Sequence, residues 1–187
     1  MSAAGVPRVR DGVVLPAERR TGDAYYTPDD LARALVRQIE IPRGATVLEP
    51  SVGGGAWARA VQAAANEQEN QIQLVGIDID PGAAGLKEVG MPLVGDFLEY
   101  RPDATWRPDI VLGNPPYGAA EQHVRHALEI VAPGGIVALL LRLGFLEGKR
   151  RVSLWHEHPP GRIVVLVERP SFTGGGTDSA AYGFFIW

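Results

Sequence analysis

The segment VLEPSVGGG, residues 47–55, decides the fold of this 187-residue chain. It joins an apolar run, typical of a buried strand, to a glycine-rich turn that opens a helix-like stretch. Glycine in such a turn lets the backbone approach a ligand closely. The spacing differs from that of dinucleotide-binding and phosphate-binding loops. Because Glu49 would repel a pyrophosphate, we predict a cationic ligand at this turn; a structural turn without a ligand is the alternative.

Outward from this segment, apolar runs alternate with helix-like stretches. The strand-like runs lie at residues 45–48, 72–79, 91–94, 109–112, 135–141 and 162–167. The helix-like stretches lie near residues 56–65, 81–88, 119–131 and 146–157. This order predicts an α/β fold with a mostly parallel sheet and helices on both faces. Residues 180–187 indicate a seventh strand, antiparallel because only a glycine-rich loop separates it from the sixth.

The chain before the glycine-rich segment divides into a tail and a helix start. Residues 1–22 mix Gly, Pro and Arg without apolar periodicity, which predicts a flexible tail. Thr27 suits a helix N-cap and Pro28 the first helical position, and the two acids that follow favour the positive end of the helix dipole. The length predicts a single domain over residues 23–187.

Composition limits the classes of protein that the chain can represent. Hydrophobic residues make up 45% and charged residues 21%, as in ordinary globular proteins. No run approaches the roughly 20 apolar residues of a membrane span, so we expect a soluble, cytoplasmic protein. The chain lacks Cys, which excludes disulfides and thiolate metal sites. His123 with His126, and His156 with His158, have ligand-like spacing, but without a third ligand we predict no metal.

The net charge and the local charge of the chain point in opposite directions on a nucleic-acid partner. The net charge of −4 does not support a nucleic-acid partner. Between Arg142 and Arg169, however, six basic residues stand against three acidic ones, and this local excess could meet phosphates. The excess includes Lys149 and Arg150. A solvated helix face with its loops is the alternative interpretation.

Two further strand ends carry acids that could face the same ligand as Glu49. Asp78 could accept both hydroxyls of a ribose, as in related nucleotide-binding folds, and Ile79 could cover an adenine ring. After the next strand, Asp96 could accept from an adenine amino group and Phe97 could stack on that ring. Asp80 is interpreted as a helix N-cap. A ligand that combines a cationic group with an adenosine matches S-adenosylmethionine. Each acid alone could instead be an ordinary helix cap.

The segment DIVLGNPPY, residues 109–117, is suited to chemistry on an amine. Methylating a planar amine is difficult because the nitrogen lone pair is delocalised. The Asn114 side-chain oxygen and the Pro115 carbonyl could accept the amino hydrogens and draw the nitrogen toward tetrahedral geometry. Pro115 and Pro116 would make the loop rigid and fix these directions. Tyr117 offers an aromatic face to the target base. A rigid strand-to-helix turn without chemistry is the alternative.

These segments together resemble the motifs of N6-adenine DNA methyltransferases. Asn114-Pro115-Pro116-Tyr117 resembles motif IV of that family, Val47–Gly55 motif I, Gly76–Pro81 motif II, Gly95–Phe97 motif III and Tyr26-Thr27-Pro28 motif X. The motif order is that of the gamma class, and the resemblance covers roughly residues 25–187. It implies a Rossmann-like class I methyltransferase fold with seven strands, the last antiparallel. It also implies S-adenosylmethionine as cofactor and adenine N6 in DNA as substrate.

The resemblance assigns roles to particular residues. It implies cofactor contacts by Tyr26, Thr27, Glu49, Pro50, Ser51, Gly53, Asp78, Ile79, Asp96, Phe97 and Asn114. Asn114, Pro115, Pro116 and Tyr117 would form the catalytic loop. Phe172 lies where family members place an aromatic ring against the flipped base, so Tyr117 and Phe172 would hold that base. Arg142, Lys149 and Arg150 would contact the DNA.

One departure from the family concerns target recognition. Gamma enzymes usually carry a target-recognition domain after the catalytic one, and no such domain is visible before Trp187. We therefore expect a missing domain, a separate subunit or weak sequence specificity. A restriction partner, an orphan regulator and phage self-protection all remain open. An RNA adenine or protein glutamine methyltransferase is the first alternative, and a non-catalytic binding subunit of the same fold is the second.

Overall fold

The computed structural model describes residues 26–103, 105–170 and 179–187, together with the backbone of residues 9–10 and 13–14. Strands β1 (Val9–Arg10) and β2 (Val13–Val14) form a short antiparallel ladder. The rest of the predicted tail lies outside the described residues. Within the described part, no helix is both long and apolar enough to cross a membrane.

A seven-stranded sheet forms the centre of the domain. Its strands are β3 (Thr46–Glu49), β4 (Gln73–Asp78), β5 (Met91–Val94), β6 (Ile110–Gly113), β7 (Ile136–Arg142), β8 (Arg162–Val165) and β9 (Tyr182–Ile186). They lie side by side in the order β5-β4-β3-β6-β7-β9-β8. The first five in this order pair in parallel, and β9 runs antiparallel to both of its neighbours. The predicted mostly parallel sheet with a reversed last strand is therefore confirmed.

Helices cover both faces of the sheet, as the alternating pattern predicts. They are α1 (Asp29–Val36), α2 (Ala56–Glu67), α3 (Ala120–Ile130) and α4 (Val152–Glu157). Side chains alternate along the central strands, so Leu140 packs in the cluster that includes α1 and α2, and Leu139 in the cluster that includes α3 and α4. Because they are buried on both faces, the strands β6 and β7 are apolar apart from Arg142 at the end of β7. The carboxyl ends of β3, β4, β5 and β6 meet at one edge.

The prediction of a helix at residues 81–88 is wrong, because only a 3-10 turn forms there, at Ala84–Lys87. This turn is pressed against the glycine-rich loop. The Gly85 amide donates to the Gly53 carbonyl at 2.9 Å, and a Cβ on Gly85 would come within 2.5 Å of the Gly55 nitrogen. Asp80 accordingly caps no helix; its Oδ1 accepts from the Gly82 amide in a tight turn.

Two other helix boundaries differ from their predictions. Pro28, rather than Thr27, is the N-cap of α1, and no side chain caps that helix. The Thr27 hydroxyl instead has partners from two distant elements. The stretch predicted near residues 146–157 is α-helical only over α4, which follows a 3-10 turn at Lys149–Arg151. Gly148 precedes that turn at φ 107°, a conformation that favours glycine.

Candidate active site

Two adjoining cavities lie at the edge where the strands β3 to β6 end. The Thr27 cavity, of about 300 Å³, is lined by residues that include Tyr26, Thr27, Ser51, Gly53, Trp57 and Asn114. The Asp78 cavity, of about 260 Å³, is lined by residues that include Pro50, Ser51, Asp78, Ile79, Asp96 and Phe97. Ser51 belongs to both. The two cavities gather every residue predicted to contact the cofactor except Glu49.

The glycine-rich loop connects the strand β3 to the helix α2 and lines the Thr27 cavity. Gly53 and Gly55 have φ values of 49° and 80°, which only glycine adopts readily. The Tyr26 ring lies over the loop, since a Cβ on Gly53 would come within 3.1 Å of that ring. A side chain at Gly53 would therefore be strained and would fill space beside Tyr26.

Glu49 is a buried residue at the end of β3, just before this loop. Its side chain is 1% exposed, and neither oxygen has a hydrogen-bond partner of good geometry among the described residues. Burial raises the pKa of Glu49 well above its ordinary value, and the backbone N–H of Ala58, in the first turn of α2, opposes only part of that rise. Nearby Asp78 raises the pKa further. Such a carboxyl favours a neighbouring cation, because a cation offsets the cost of ionising it.

The two other strand-end acids bond to backbone groups in this structure. Asp78 is buried, and its two oxygens accept from the amides of Gly53 and Asp80, at 2.8 and 2.9 Å. Asp78 therefore ties β4 to the glycine-rich loop. Asp96 accepts from the Leu98 amide at 2.9 Å. Both carboxylates line the Asp78 cavity, so their predicted contacts to ribose and adenine stay predictions.

The Asp78 cavity has a buried aromatic wall at Phe97 and an exposed aliphatic wall at Ile79. The Phe97 ring is 2% exposed and stacks on His123, with ring centroids 5.3 Å apart. His123 also lines the cavity. Its Nδ1 lies 3.0 Å from the Ala119 carbonyl oxygen, which can only accept, so Nδ1 carries the proton. By contrast, Ile79 is 51% exposed and borders the same cavity. The predicted stacking of Phe97 on adenine stays a prediction.

Asn114 follows β6 and faces the Thr27 cavity. Its amide nitrogen donates to the Thr27 hydroxyl at 3.2 Å, and the Trp57 indole N–H donates to the same oxygen at 3.0 Å. Thr27 therefore joins the segment before α1 to the predicted catalytic loop. In that loop, Pro115 is buried and Pro116 borders the Asp78 cavity. Neither partner of Thr27 follows from local sequence, since they lie 30 and 87 residues away.

Tyr117 lies beside Asn114 with one ring face covered. The Arg142 guanidinium stands 4.8 Å from the centroid of the Tyr117 ring, and its Nε donates to the Tyr182 hydroxyl at 3.2 Å. Burial, followed by the neighbouring Tyr182, raises the pKa of Tyr117, so its hydroxyl stays protonated at neutral pH. Arg142 was predicted to contact DNA; here it packs on the ring predicted to hold the base.

A third cavity, of about 380 Å³, also borders Tyr117. We call it the Tyr117 cavity; its lining includes Tyr117, Gln122, Lys149 and Arg150. Lys149 and Arg150 are exposed, as expected for side chains that contact a nucleic acid. Phe172, the second ring predicted to hold the base, lies outside the described residues.

Sequence reasoning missed three residues that border the cavities. Trp57 packs in the core and also donates a hydrogen bond to Thr27. Arg59 lines the Thr27 cavity, donates to the Gly54 carbonyl at 2.9 Å and pairs with Asp29 at 2.7 Å. His123 was considered only as a metal ligand. Among the described residues, no group of three or more His, Asp and Glu could hold a metal ion.

Comparisons with known proteins identify the class of fold. No protein-family model matches the chain. The structure is similar to a class I S-adenosylmethionine-dependent methyltransferase of Listeria monocytogenes, with a TM-score of 0.72 and 15% identity over 90% of this chain and 62% of that one. It is also similar to a type I restriction-modification methyltransferase subunit of Streptococcus thermophilus, with a TM-score of 0.71 and 18% identity over 87% and 44%. The chain therefore has the class I methyltransferase fold.

Sequence relatives lie within restriction-modification systems. A type II methyltransferase of Thermus thermophilus is 34% identical over 115 residues, which are 62% of this chain and 26% of that protein. The curated relatives that the chain matches include type II methyltransferases and a methylase subunit of a type I restriction enzyme. The chain spans between 22% and 39% of the length of these relatives. These similarities agree with the family resemblance found in the motifs and with S-adenosylmethionine as the cofactor.

Proposed function

We propose that this chain is the catalytic domain of a DNA methyltransferase that uses S-adenosylmethionine and methylates the N6 amino group of adenine. One observation carries the proposal: the side chain of Asn114 faces the same cavity as the glycine-rich loop and Thr27. An amide suited to hold an amine therefore lies beside the loop suited to hold the methyl donor. The relatives among type II methyltransferases support DNA as the substrate.

The two adjoining cavities suit the two ends of the cofactor. The Asp78 cavity offers carboxylates and an exposed aliphatic side chain, Ile79, to an adenosine. The Thr27 cavity offers small residues and hydroxyl groups to an amino-acid end. Buried Glu49 ends β3 just before the glycine-rich loop, and a positive charge nearby would favour its ionised form. When bound, S-adenosylmethionine supplies an electrophilic methyl group on a positively charged sulfur.

The residues of the catalytic loop would prepare the amine. The Asn114 side-chain oxygen and the Pro115 carbonyl would accept its two hydrogens, which raises the electron density on nitrogen. These acceptors act best when their directions are fixed before substrate arrives, and the paired prolines restrict the loop in this way. The neutral Tyr117 ring would stack on the base. A base that reaches this loop must leave the duplex stack or come from a single strand.

The substrate side would contact the nucleic-acid backbone. Lys149 and Arg150 are exposed cations that border the Tyr117 cavity, and they could pair with the phosphates that flank an extruded base. We propose that a separate domain or subunit selects the target sequence, which agrees with the small share of its relatives that this chain spans. A location in the bacterial or phage-infected cytoplasm stays a prediction.

A methyl-transfer assay tests the proposed function. The chain would be incubated with S-adenosylmethionine that is radiolabelled at the methyl group and with one acceptor at a time. The acceptors are unmethylated double-stranded DNA, single-stranded DNA, RNA and a glutamine-containing protein acceptor. We expect label in DNA, recovered as N6-methyladenine after digestion to nucleosides. Label in RNA or protein alone would contradict DNA as the substrate. Cofactor binding without any transfer would favour the non-catalytic alternative.

A further inference from the structure

Three residues from separate parts of the chain meet at one oxygen atom. The Thr27 hydroxyl accepts one hydrogen bond from the Trp57 indole nitrogen at 3.0 Å and another from the Asn114 amide nitrogen at 3.2 Å. Thr27 is 8% exposed and Trp57 is 2% exposed. Hydrogen bonds in such a place are stronger than in water, and losing one leaves a buried polar group unsatisfied.

Trp57 is the fixed end of this chain of hydrogen bonds. Its ring stacks on Phe184 of the strand β9, with centroids 5.5 Å apart and an angle of 18° between the rings. The indole N–H can only donate, so it requires an acceptor in a set direction. Thr27 is β-branched, and its rotamer decides whether the hydroxyl or the methyl group faces Asn114. The bond from Trp57 selects the rotamer that presents the hydroxyl.

Thr27 in turn fixes the carboxamide of Asn114. An amide nitrogen donates and an amide oxygen accepts, and the two diverge from one carbon atom. Placing the nitrogen on Thr27 therefore also sets the direction of the Asn114 oxygen. In the proposed reaction that oxygen must accept a hydrogen from the target amine, so its direction affects the rate of transfer.

We propose that Thr27 is a positioning residue for Asn114, and that Trp57 is a positioning residue for Thr27. The inference rests on the proposed function and deepens it. The segment Tyr26-Thr27-Pro28, which resembles motif X, would then have a second task besides its implied contact with the cofactor. This task is to hold the amide that binds the substrate. The segment before α1 thereby links cofactor binding to the chemistry on the amine.

Three single substitutions separate this task from a contribution to folding. Thr27→Val removes the hydroxyl and keeps the shape, Thr27→Ser keeps the hydroxyl, and Trp57→Phe keeps an aromatic ring and removes the N–H. At saturating cofactor, we expect Thr27→Val to lower the single-turnover rate of transfer about 10- to 100-fold. Thr27→Ser should restore most of the rate. Trp57→Phe should lower it severalfold. Thermal unfolding and calorimetric cofactor affinity are measured for each protein.

The double variant tests whether Trp57 acts through Thr27. If it does, adding Trp57→Phe to Thr27→Val should lower the rate no further, because the two changes interrupt one chain. Losses that multiply would overturn that part of the proposal. Unchanged transfer by Thr27→Val in an active wild-type background would overturn the role of Thr27. Weaker cofactor binding with an unchanged rate at saturation would also overturn it, because Thr27 would then serve the cofactor alone.

A measurement that needs no activity keeps this inference distinct from the proposed function. In NMR spectra, the Asn114 side-chain NH2 signals can be assigned by their loss in Asn114→Ala. We expect Thr27→Val and Trp57→Phe to shift these signals and Thr27→Ser to leave them near their wild-type positions. If Thr27→Val leaves the chemical shifts of these signals unchanged, the proposed chain of hydrogen bonds is wrong even in an active enzyme. An inactive wild type in which the signals shift as expected would instead overturn the proposed function.

Discussion

At the Thr27 cavity, a hydroxyl, an indole and an amide from three separate elements are joined by hydrogen bonds. At the Tyr117 cavity, the two cations Lys149 and Arg150 are exposed, and the aromatic ring is covered by the protein's own Arg142. The first region is organised before any ligand binds. The second needs side-chain movement if a base is to stack on the covered face of Tyr117. Preorganisation therefore lies at the Thr27 cavity, and groups whose directions are fixed in advance stabilise developing charge most effectively.

The largest effect is expected from a substitution of Asn114, the residue of the Thr27 cavity that is proposed to bind the reacting amine. Asn114→Ala should lower the rate of methyl transfer at least about 100-fold, because it removes an acceptor aimed at the reacting amine. Affinity for S-adenosylmethionine, measured by calorimetry, should change only severalfold. Asn66→Ala, at the far end of α2, is the matched control. Retained transfer by Asn114→Ala would remove Asn114 from the proposed reaction.

The next prediction concerns the packing that shapes the glycine-rich loop. Gly85→Ala should lower the free energy of unfolding by about 1–3 kcal/mol, since the added methyl would press on Gly55 and Val52. Urea denaturation measures this change. Gly144→Ala is the control, because a Cβ there would meet no atom within 4 Å among the described residues. Equal stability of the two variants would contradict the tight contact between the loop and the turn.

Glu49 gives a prediction about pH. Since burial raises the pKa of Glu49, the carboxyl keeps its proton to a higher pH than usual in the apo protein, and a bound cation should favour loss of that proton. Affinity for S-adenosylmethionine should rise with pH up to the raised pKa and level off above it. Glu49→Gln should weaken binding about tenfold and flatten this dependence. Calorimetry in buffers of different ionisation enthalpy should detect proton release by the wild type and less by the variant. An unchanged pH profile in Glu49→Gln would assign the dependence to another group.

The same pKa shift has a consequence for stability without cofactor. Native Glu49 binds its proton more tightly than the unfolded chain does. Its contribution to stability is therefore fully present below the unfolded pKa and declines as pH rises toward the folded pKa. Denaturation of apo Glu49→Gln should lack this decline. A wild type and variant with parallel pH profiles would show that folding does not raise the pKa of Glu49.

The smallest effects are expected on the exposed side. Lys149→Gln and Arg150→Gln should each weaken nucleic-acid affinity severalfold and reduce the salt dependence of binding by about one ion. The rate at saturating nucleic acid should stay near that of the wild type. Arg43→Gln is the matched control, because Arg43 is exposed just before β3, near the opposite end of that strand from the cavities. Equal effects of all three variants would indicate nonspecific charge rather than contacts at the Tyr117 cavity.

The sequence predicts most of the fold because its central strands are buried runs. The strand β6, for example, was expected one residue from its observed position. The loop Asn114-Pro115-Pro116-Tyr117 can also be recognised from sequence because it is a contiguous motif, and its catalytic role stays a prediction. Contacts between distant residues escaped prediction. Thr27 fits the local pattern of an N-cap, but its hydroxyl accepts hydrogen bonds from Trp57 and Asn114 instead. Gly85 lies in a helix-like stretch, yet its contact with Gly55 leaves only a 3-10 turn.

The decisive experiment is a structure of the protein with S-adenosylhomocysteine bound. We expect the adenosine in the Asp78 cavity and the amino-acid end in the Thr27 cavity. We also expect that Asn114 still donates to Thr27 and that its side-chain oxygen borders the space beside the sulfur. The nucleoside in another place, or an Asn114 side chain turned away from the sulfur, would contradict these expectations.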